Sequence, residues 1–292
     1  MKQWLLVICL LIGSVASAGT VPDFYGPLKQ AQVGDASISY YRFGTGAPLV
    51  MITGHGDAMV MWHPALLKKL SQTREVIIFD YPGVGESTIK GDYPDSMDKL
   101  SRLVQAFIEN QQLDRPDLLG FSMGGSLALY MTTQYGDKYH HVVLVGAKAG
   151  GKKTVTPDPK YFNMLNDTKM SPAVAIKTLL FPATAAAQAD AYLKVLSQMP
   201  IPKMNPEAMK AQSEAVNAEN SGAGIWDKLP LIKNRVLVIN GSDDILTPVQ
   251  NAPMIASAIP GAWLAQIKGA GHGVLFQEPE FTGDLIELFL SY

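Results

Sequence analysis

Six residues, Gly120-Phe121-Ser122-Met123-Gly124-Gly125, constrain this chain more than any others. An apolar pair, Leu118-Leu119, leads into them from Asp117, and a run that reads as helix, Ser126-Leu127-Ala128-Leu129-Tyr130-Met131, follows. A strand that becomes a helix within one Gly-x-Ser-x-Gly turn reverses so sharply that the serine takes a strained backbone conformation. Glycines two before and two after it keep side chains out of the crowded space. The hydroxyl is thrust clear of the strand, at the positive end of a helix dipole. Taken alone the pattern is common. It gains weight if an acid and then a histidine follow in order, each at the end of a strand.

The surrounding chain supplies such strands. Ile38 to Phe43 reads as a strand that turns at Gly44-Thr45-Gly46, after a loose lead-in over 19–36. Leu49-Val50-Met51-Ile52 is a continuous apolar run, as expected of a strand buried on both faces, and ends in Thr53-Gly54-His55-Gly56-Asp57. A helix is expected over Pro64 to Leu70, then a second buried run, Val76-Ile77-Ile78-Phe79. Ser96 is placed to cap a helix carrying Leu100, Leu103, Val104, Phe107 and Ile108 at helical spacing. After the central turn comes another strand, His141 to Val145. Alternating strands and helices predict an α/β fold with a mostly parallel sheet and helices on both faces. In such sheets ligands meet the carboxyl ends of the strands, where these glycine-rich turns fall.

From Gly150 to about Asp227 the texture changes, with lysine, proline, alanine and methionine replacing β-branched runs. Helices are expected over 172–180, 185–199 and 206–217, forming an inserted helical lobe over 150–227 between core parts at 19–149 and 228–292. The sheet pattern then resumes with Val236 to Ile239, a helix near Val249–Ile259, a strand over Trp263–Ile267 and a last helix from Pro279 to Leu290.

Residues 1–18 read as a secretory leader: Met1-Lys2-Gln3, an apolar core from Trp4 to Ile12 too short to span a bilayer comfortably, and Ala16-Ser17-Ala18 before Gly19. Export to the periplasm or beyond is therefore expected, with no stable membrane insertion after cleavage; an uncleaved anchor is the alternative. The single cysteine, Cys9, lies inside that leader, so the mature chain has neither disulfides nor a thiol nucleophile. A formal net charge of −2 with dispersed charges argues against a nucleic-acid partner. The length suffices for one large buried core.

Two strand ends after the lobe carry what the serine lacks: Asn240-Gly241-Ser242-Asp243-Asp244, with Pro248 further on, and Gly269-Ala270-Gly271-His272-Gly273. At neutral pH a serine hydroxyl needs a base to take its proton, and histidine titrates in the right range. With the His55-Gly56 turn after an early strand, these make four motifs in order, and the chain resembles the α/β-hydrolases over nearly all of its length apart from the helical lobe. The resemblance implies an inserted helical lid, Ser122 as nucleophile, His272 as base and Asp244, rather than its neighbour Asp243, as the acid that orients the imidazole. It nominates the backbone amides of Met123 and Asp57 as donors to the oxyanion. A carboxylate at Asp57 departs from the apolar residue many relatives carry there; His55 is placed to pair with it or to pack.

Serine rather than aspartate at the turn points to carboxylic esters, thioesters, lactones or amides, with no cofactor and no metal required. His63, His140 and His141 read as structural; the adjacent pair signals a metal only weakly, without a carboxylate cluster beside it. Trp62, Met59, Met61 and Met123 read as core more than as pocket lining. The alanines and methionines of the lobe suggest an apolar lining, hence a small acyl or aryl ester as the partner. The rivals are a cofactor-free perhydrolase or haloperoxidase-like enzyme, or a C–C bond hydrolase, using the same triad. A proline-iminopeptidase-type peptidase is disfavoured by Met123, where tryptophan is usual. A non-catalytic binding protein on the same scaffold is the last rival.

Overall fold

The computed structural model describes residues 19–165 and 170–292. The expected leader at 1–18, with Cys9, lies outside the described residues. No helix among the described residues is long and apolar enough to cross a membrane.

Among the described residues nine strands form one sheet: β1 Lys29–Val33, β2 Ala36–Gly44, β3 Ala47–Ile52, β4 Arg74–Phe79, β5 Thr88–Ile89, β6 Asp117–Phe121, β7 His141–Val145, β8 Arg235–Gly241 and β9 Trp263–Ile267. The order is β1-β2-β4-β3-β6-β7-β8-β9, with β5 added to β2. From β4 through β9 every pairing is parallel; β2 runs antiparallel to β1, β4 and β5. In β6 and β7 every residue is buried. Consecutive buried residues point to opposite faces, so the sheet centre is covered on both sides.

The cover comes from α1 Pro64–Leu70, α2 Met97–Asn110, α3 Met123–Tyr135, α4 Pro159–Leu165, α5 Pro172–Leu180, α6 Ala186–Leu196, α7 Pro206–Ser221, α8 Asn251–Ala258, α9 Val274–Gln277 and α10 Pro279–Leu290. Helix α1 packs on α10, α2 on α3, and α8 on β8 and β9. Local chemistry sets several starts. Ser96 accepts from the Lys99 amide at 3.3 Å and Ser171 from that of Val174 at 3.4 Å, while proline opens α1, α5, α7 and α10.

The lead-in over 19–36 is not loose throughout. It contains β1, which makes an antiparallel hairpin with β2 through Gly34-Asp35, Gly34 standing at φ 57°. The strand buries only Ala31 and Val33, an alternation that a search for continuous apolar runs passes over. The helix expected over 185–199 is a short 3₁₀ turn, Ala183–Ala185, followed by α6, which stops at Leu196. Helices α4 and α9 were not expected. Between β7 and β8 the chain is helical, α4 to α7, with no strand among the described residues.

Asp80 follows β4 with 2% exposure, and its Oδ1 accepts from the Met59 amide at 2.6 Å. Burial pushes its carboxyl up to about 7, and the nearby Glu86 adds to the rise, while the Met59 amide opposes it. The folded chain therefore keeps this proton where the unfolded chain has lost it. The stability this lends is complete below about pH 4 and is lost as pH rises to about 7. Asp80→Asn cannot ionise, so its stability relative to wild type climbs between pH 4 and pH 8, by at most about 4 kcal/mol. Urea denaturation across that range measures it; a pH-independent difference would refute the buried acid.

Candidate active site

Ser122 follows directly on β6 and precedes α3, with φ 55° and ψ −119°. That conformation costs a non-glycine residue of order 1–3 kcal/mol and persists only where the surroundings impose it. They do so by contact. A Cβ on Gly120 would meet Gly124 O at 2.2 Å, and one on Gly124 would meet Ile52 O at 2.2 Å. The Ser122 amide donates to Val145 O at 2.8 Å, tying the turn to β7.

Three predicted residues from three strand ends meet here. His272 Nε2 stands 2.9 Å from Ser122 Oγ, and His272 Nδ1 stands 2.9 Å from Asp244 Oδ2. His272 is 3% and Asp244 7% exposed, and Asp244 rather than the exposed Asp243 takes this place. Asp244 Oδ1 accepts from the amides of Leu246 and Thr247 at 2.9 and 2.7 Å, and Asn240 Nδ2 approaches Oδ2 at 3.3 Å. Those donors hold the carboxylate aimed at the imidazole. Gly146 makes room for the imidazole, since a Cβ there would lie 3.0 Å from His272 Cε1. Gln277 steadies the histidine loop, accepting from the Gly271 amide at 3.1 Å and donating to Gly269 O at 2.9 Å. Asn240 and Gln277 were not foreseen; only their closeness to the two motifs could have marked them.

The turn after β3 differs from expectation. Asp57 was nominated for its amide, but that amide donates to Gly54 O at 3.4 Å. The Gly56 amide donates to Gln212 Oε1 at 2.9 Å. Among the described residues no acceptor meets the amides of Gly54, His55 or Met123. Gly54 lies between the Asp57 carboxyl and Ser122: a Cβ on it would meet Asp57 Oδ2 at 2.5 Å and Ser122 Cβ at 3.2 Å. Burial pushes the Asp57 carboxyl up to about 7, with His272 and the Gly54 amide pulling the other way. His55 pairs not with Asp57 but with Ser213, Nε2 to Oγ 2.8 Å.

Helix α7 supplies these partners, and its face toward the strand ends is more polar than the alanines and methionines of the lobe suggested. Gln212 and Ser213 meet the β3 turn, and Asn220 Oδ1 accepts from Lys148 Nζ at 3.0 Å beyond β7. Met59, Met61, Trp62 and Met123 are core residues, each buried. His63 accepts from the Ala65 amide at 3.1 Å and so caps α1. His140 and His141 do acquire a carboxylate neighbour, Asp117, at the opposite end of the sheet from Ser122. Asp117 Oδ1 already accepts from the His141 amide at 3.0 Å and lies 2.9 Å from its Nδ1, while Oδ2 pairs with Arg74 at 2.9 Å. The guanidinium holds the place a cation would take.

A serine on a strained strand-to-helix turn, hydrogen-bonded through histidine to a buried acid at the carboxyl edge of a mostly parallel sheet, is the arrangement of a hydrolase of this architecture. Residues 47–279 match the family described as alpha/beta hydrolase fold, and the chain belongs to that family. It is 25% identical over 253 residues to a protein of Caulobacter segnis that carries the name carbamate hydrolase, covering 83% of this chain and 91% of the other. It is 24% identical over 269 residues to a pyrrolizixenacetamide deacetylase of Xenorhabdus hominickii, covering 90% and 98%. Among solved structures, an alpha/beta hydrolase fold protein from Chitinophaga pinensis superposes with TM-score 0.85 at 25% identity, covering 93% of this chain and 100% of that one. An enol-lactonase from Burkholderia xenovorans superposes with TM-score 0.76 at 21% identity, covering 90% and 100%, which speaks for the fold alone.

Proposed function

We propose that the protein is an exported serine hydrolase that cleaves a small carboxylic ester, thioester or lactone through an acyl-enzyme. The observation that carries this reading is the unbroken relay Ser122–His272–Asp244, each step 2.9 Å long. His272 Nε2 takes the proton from Ser122 Oγ as the oxygen attacks the substrate carbonyl. Asp244 holds the Nδ1–H tautomer and stabilises the imidazolium that forms. The carbonyl oxygen becomes an oxyanion and needs preorganised donors. The amide of Met123 serves with one from the turn after β3, where among the described residues those of His55 and Gly54 meet no acceptor while those of Gly56 and Asp57 are occupied within the protein. His272 then protonates the leaving group, and a water activated by the same imidazole frees the acid and Ser122. An ionised Asp57 so close would oppose the growing negative charge, and its burial favours the neutral form.

Amide or carbamate cleavage by the same relay is the second reading, supported by the names of the Caulobacter and Xenorhabdus relatives. A p-nitrophenyl ester ladder from acetate to palmitate, beside a fluorophosphonate probe, separates the cases. Turnover falling off with chain length, together with probe mass on the Ser122 peptide, is the expected result. Labelling without ester turnover would move the substrate to amides or carbamates. No labelling of Ser122 would end the serine-hydrolase reading. The mass of the labelled exported protein also reads its first residue, expected to be Gly19.

A further inference from the structure

Helix α7 bridges the strand ends on either side of Ser122. Gln212 and Ser213 meet the turn after β3, and Glu219 and Asn220 meet the chain after β7. Strand β6 lies between β3 and β7, so the middle of the helix passes over the end of β6 and its serine. Val216 is three or four residues from each of these contacts and shares their face.

Under the β7 end of this helix two polar groups are left over. Lys148 is three residues beyond the end of β7, and its amide donates to Ser126 Oγ at 2.9 Å. Its Nζ, which has three hydrogens to give, donates to Asn220 alone and has no carboxylate within 4.0 Å among the described residues. Glu219 Oε2 is fully buried and meets no donor among the described residues. The charges of Lys148 and Glu219 act on each other, and that of Lys148 is also coupled to Asp244 and His55. A spare donor and an orphaned acceptor therefore lie on the same side of the sheet, under the β7 end of α7. An orphaned buried acceptor has given up its water without compensation, a loss that a matching ligand group makes good.

We infer that Lys148 and Glu219 form a substrate subsite beside Ser122 that reads an amide-type group, its C=O accepting from Lys148 Nζ and its N–H donating to Glu219 Oε2. A carboxylate brings no hydrogen to Oε2 and is repelled by Glu219 once that is ionised. An alkyl group leaves both protein groups unpaired. An amide offers donor and acceptor on neighbouring atoms. The inference rests on Ser122 as the nucleophile and concerns the remote part of the substrate, not the bond that breaks.

Three p-nitrophenyl esters of equal acyl length test it: pentanoate, 4-oxopentanoate, which adds the carbonyl, and N-acetylglycinate, which also replaces a CH₂ with N–H. In wild type each added group raises kcat/KM by about tenfold or more. Glu219→Leu brings the N-acetylglycinate to 4-oxopentanoate ratio to about one, and Lys148→Met does the same to the 4-oxopentanoate to pentanoate ratio. These ratios are internal to each variant, so a general loss of folded enzyme cancels. Ratios near one in wild type, or unchanged in the variants, would overturn the subsite. Turnover that survives Ser122→Ala would instead strike the hydrolase reading. Calorimetry with N-acetylglycine and 4-oxopentanoic acid then decides the subsite by itself. Tighter binding of N-acetylglycine by wild type, equalised in Glu219→Leu, supports it; equal binding or none refutes it.

Discussion

Ser122→Ala lowers kcat on a p-nitrophenyl ester by about 10⁵–10⁶-fold while the protein unfolds within about 1 kcal/mol of wild type. The stability hardly moves because the one hydrogen bond of the Ser122 side chain is to His272. The rate collapses because alanine has no oxygen to attack the carbonyl and carry the acyl group. His272→Ala shows a loss of the same size, and the double variant is no worse than either single one, since nucleophile and base act as a unit. Asp244→Asn loses about 10⁴-fold, the amide favouring the wrong tautomer of His272. Stopped-flow and steady-state kinetics with active-site titration measure all four. Losses that multiply in the double variant would show that Ser122 and His272 do not work on the same proton.

Gly124→Ala has the largest expected effect on the fold. The new Cβ would lie 2.2 Å from Ile52 O and 2.4 Å from Thr53 O, both main-chain atoms at the end of β3. No rotamer relieves that contact, so α3 must back away from the sheet, with a loss of about 4 kcal/mol or more. Ser122 sits at the first turn of that helix, and activity goes with it. Gly91 is the control, because a Cβ there meets nothing within 4 Å, and Gly91→Ala stays within about 0.5 kcal/mol. Equilibrium unfolding in urea compares the two. A Gly124→Ala protein as stable as the Gly91→Ala one would contradict the close approach of helix and strand.

Sequence reasoning reached furthest where burial leaves an unambiguous pattern. The apolar runs at 49–52, 76–79, 141–145 and 236–239 are all inside parallel strands. A strand buried on both faces has no polar side to confuse the pattern. Helices α1, α5 and α10 begin at their prolines, which fix φ where the helix starts. Strand β1 escaped because it is an edge strand with one wet face, and α9 because a single turn has no periodicity to detect.

The relay Ser122–His272–Asp244 was legible because each member lies at a strand end with a local motif. The pattern of free amides in the turn after β3 was not. Which amide of the Thr53–Asp57 turn stays free depends on Gln212, more than 150 residues away, and on the fold of the turn itself. The polar face of α7 was hidden for a similar reason. Gln212, Ser213, Glu219 and Asn220 are ordinary helix-surface residues until the helix is laid across the sheet.

The way α7 is held has a consequence for how such an enzyme changes over generations. Main-chain bonds fix both of its ends: the Asn205 amide to Gly83 O at 2.7 Å and the Gly85 amide to Lys203 O at 2.8 Å before it, and the Gly151 amide to Glu219 O at 2.9 Å near its close. Bonds of this kind do not depend on which side chains the helix carries. The positions that face the strand ends, Gln212 apart, are thus free to drift without displacing the helix, and the relay beneath belongs to other segments. One short stretch of chain can explore new substrates while the chemistry stays inherited.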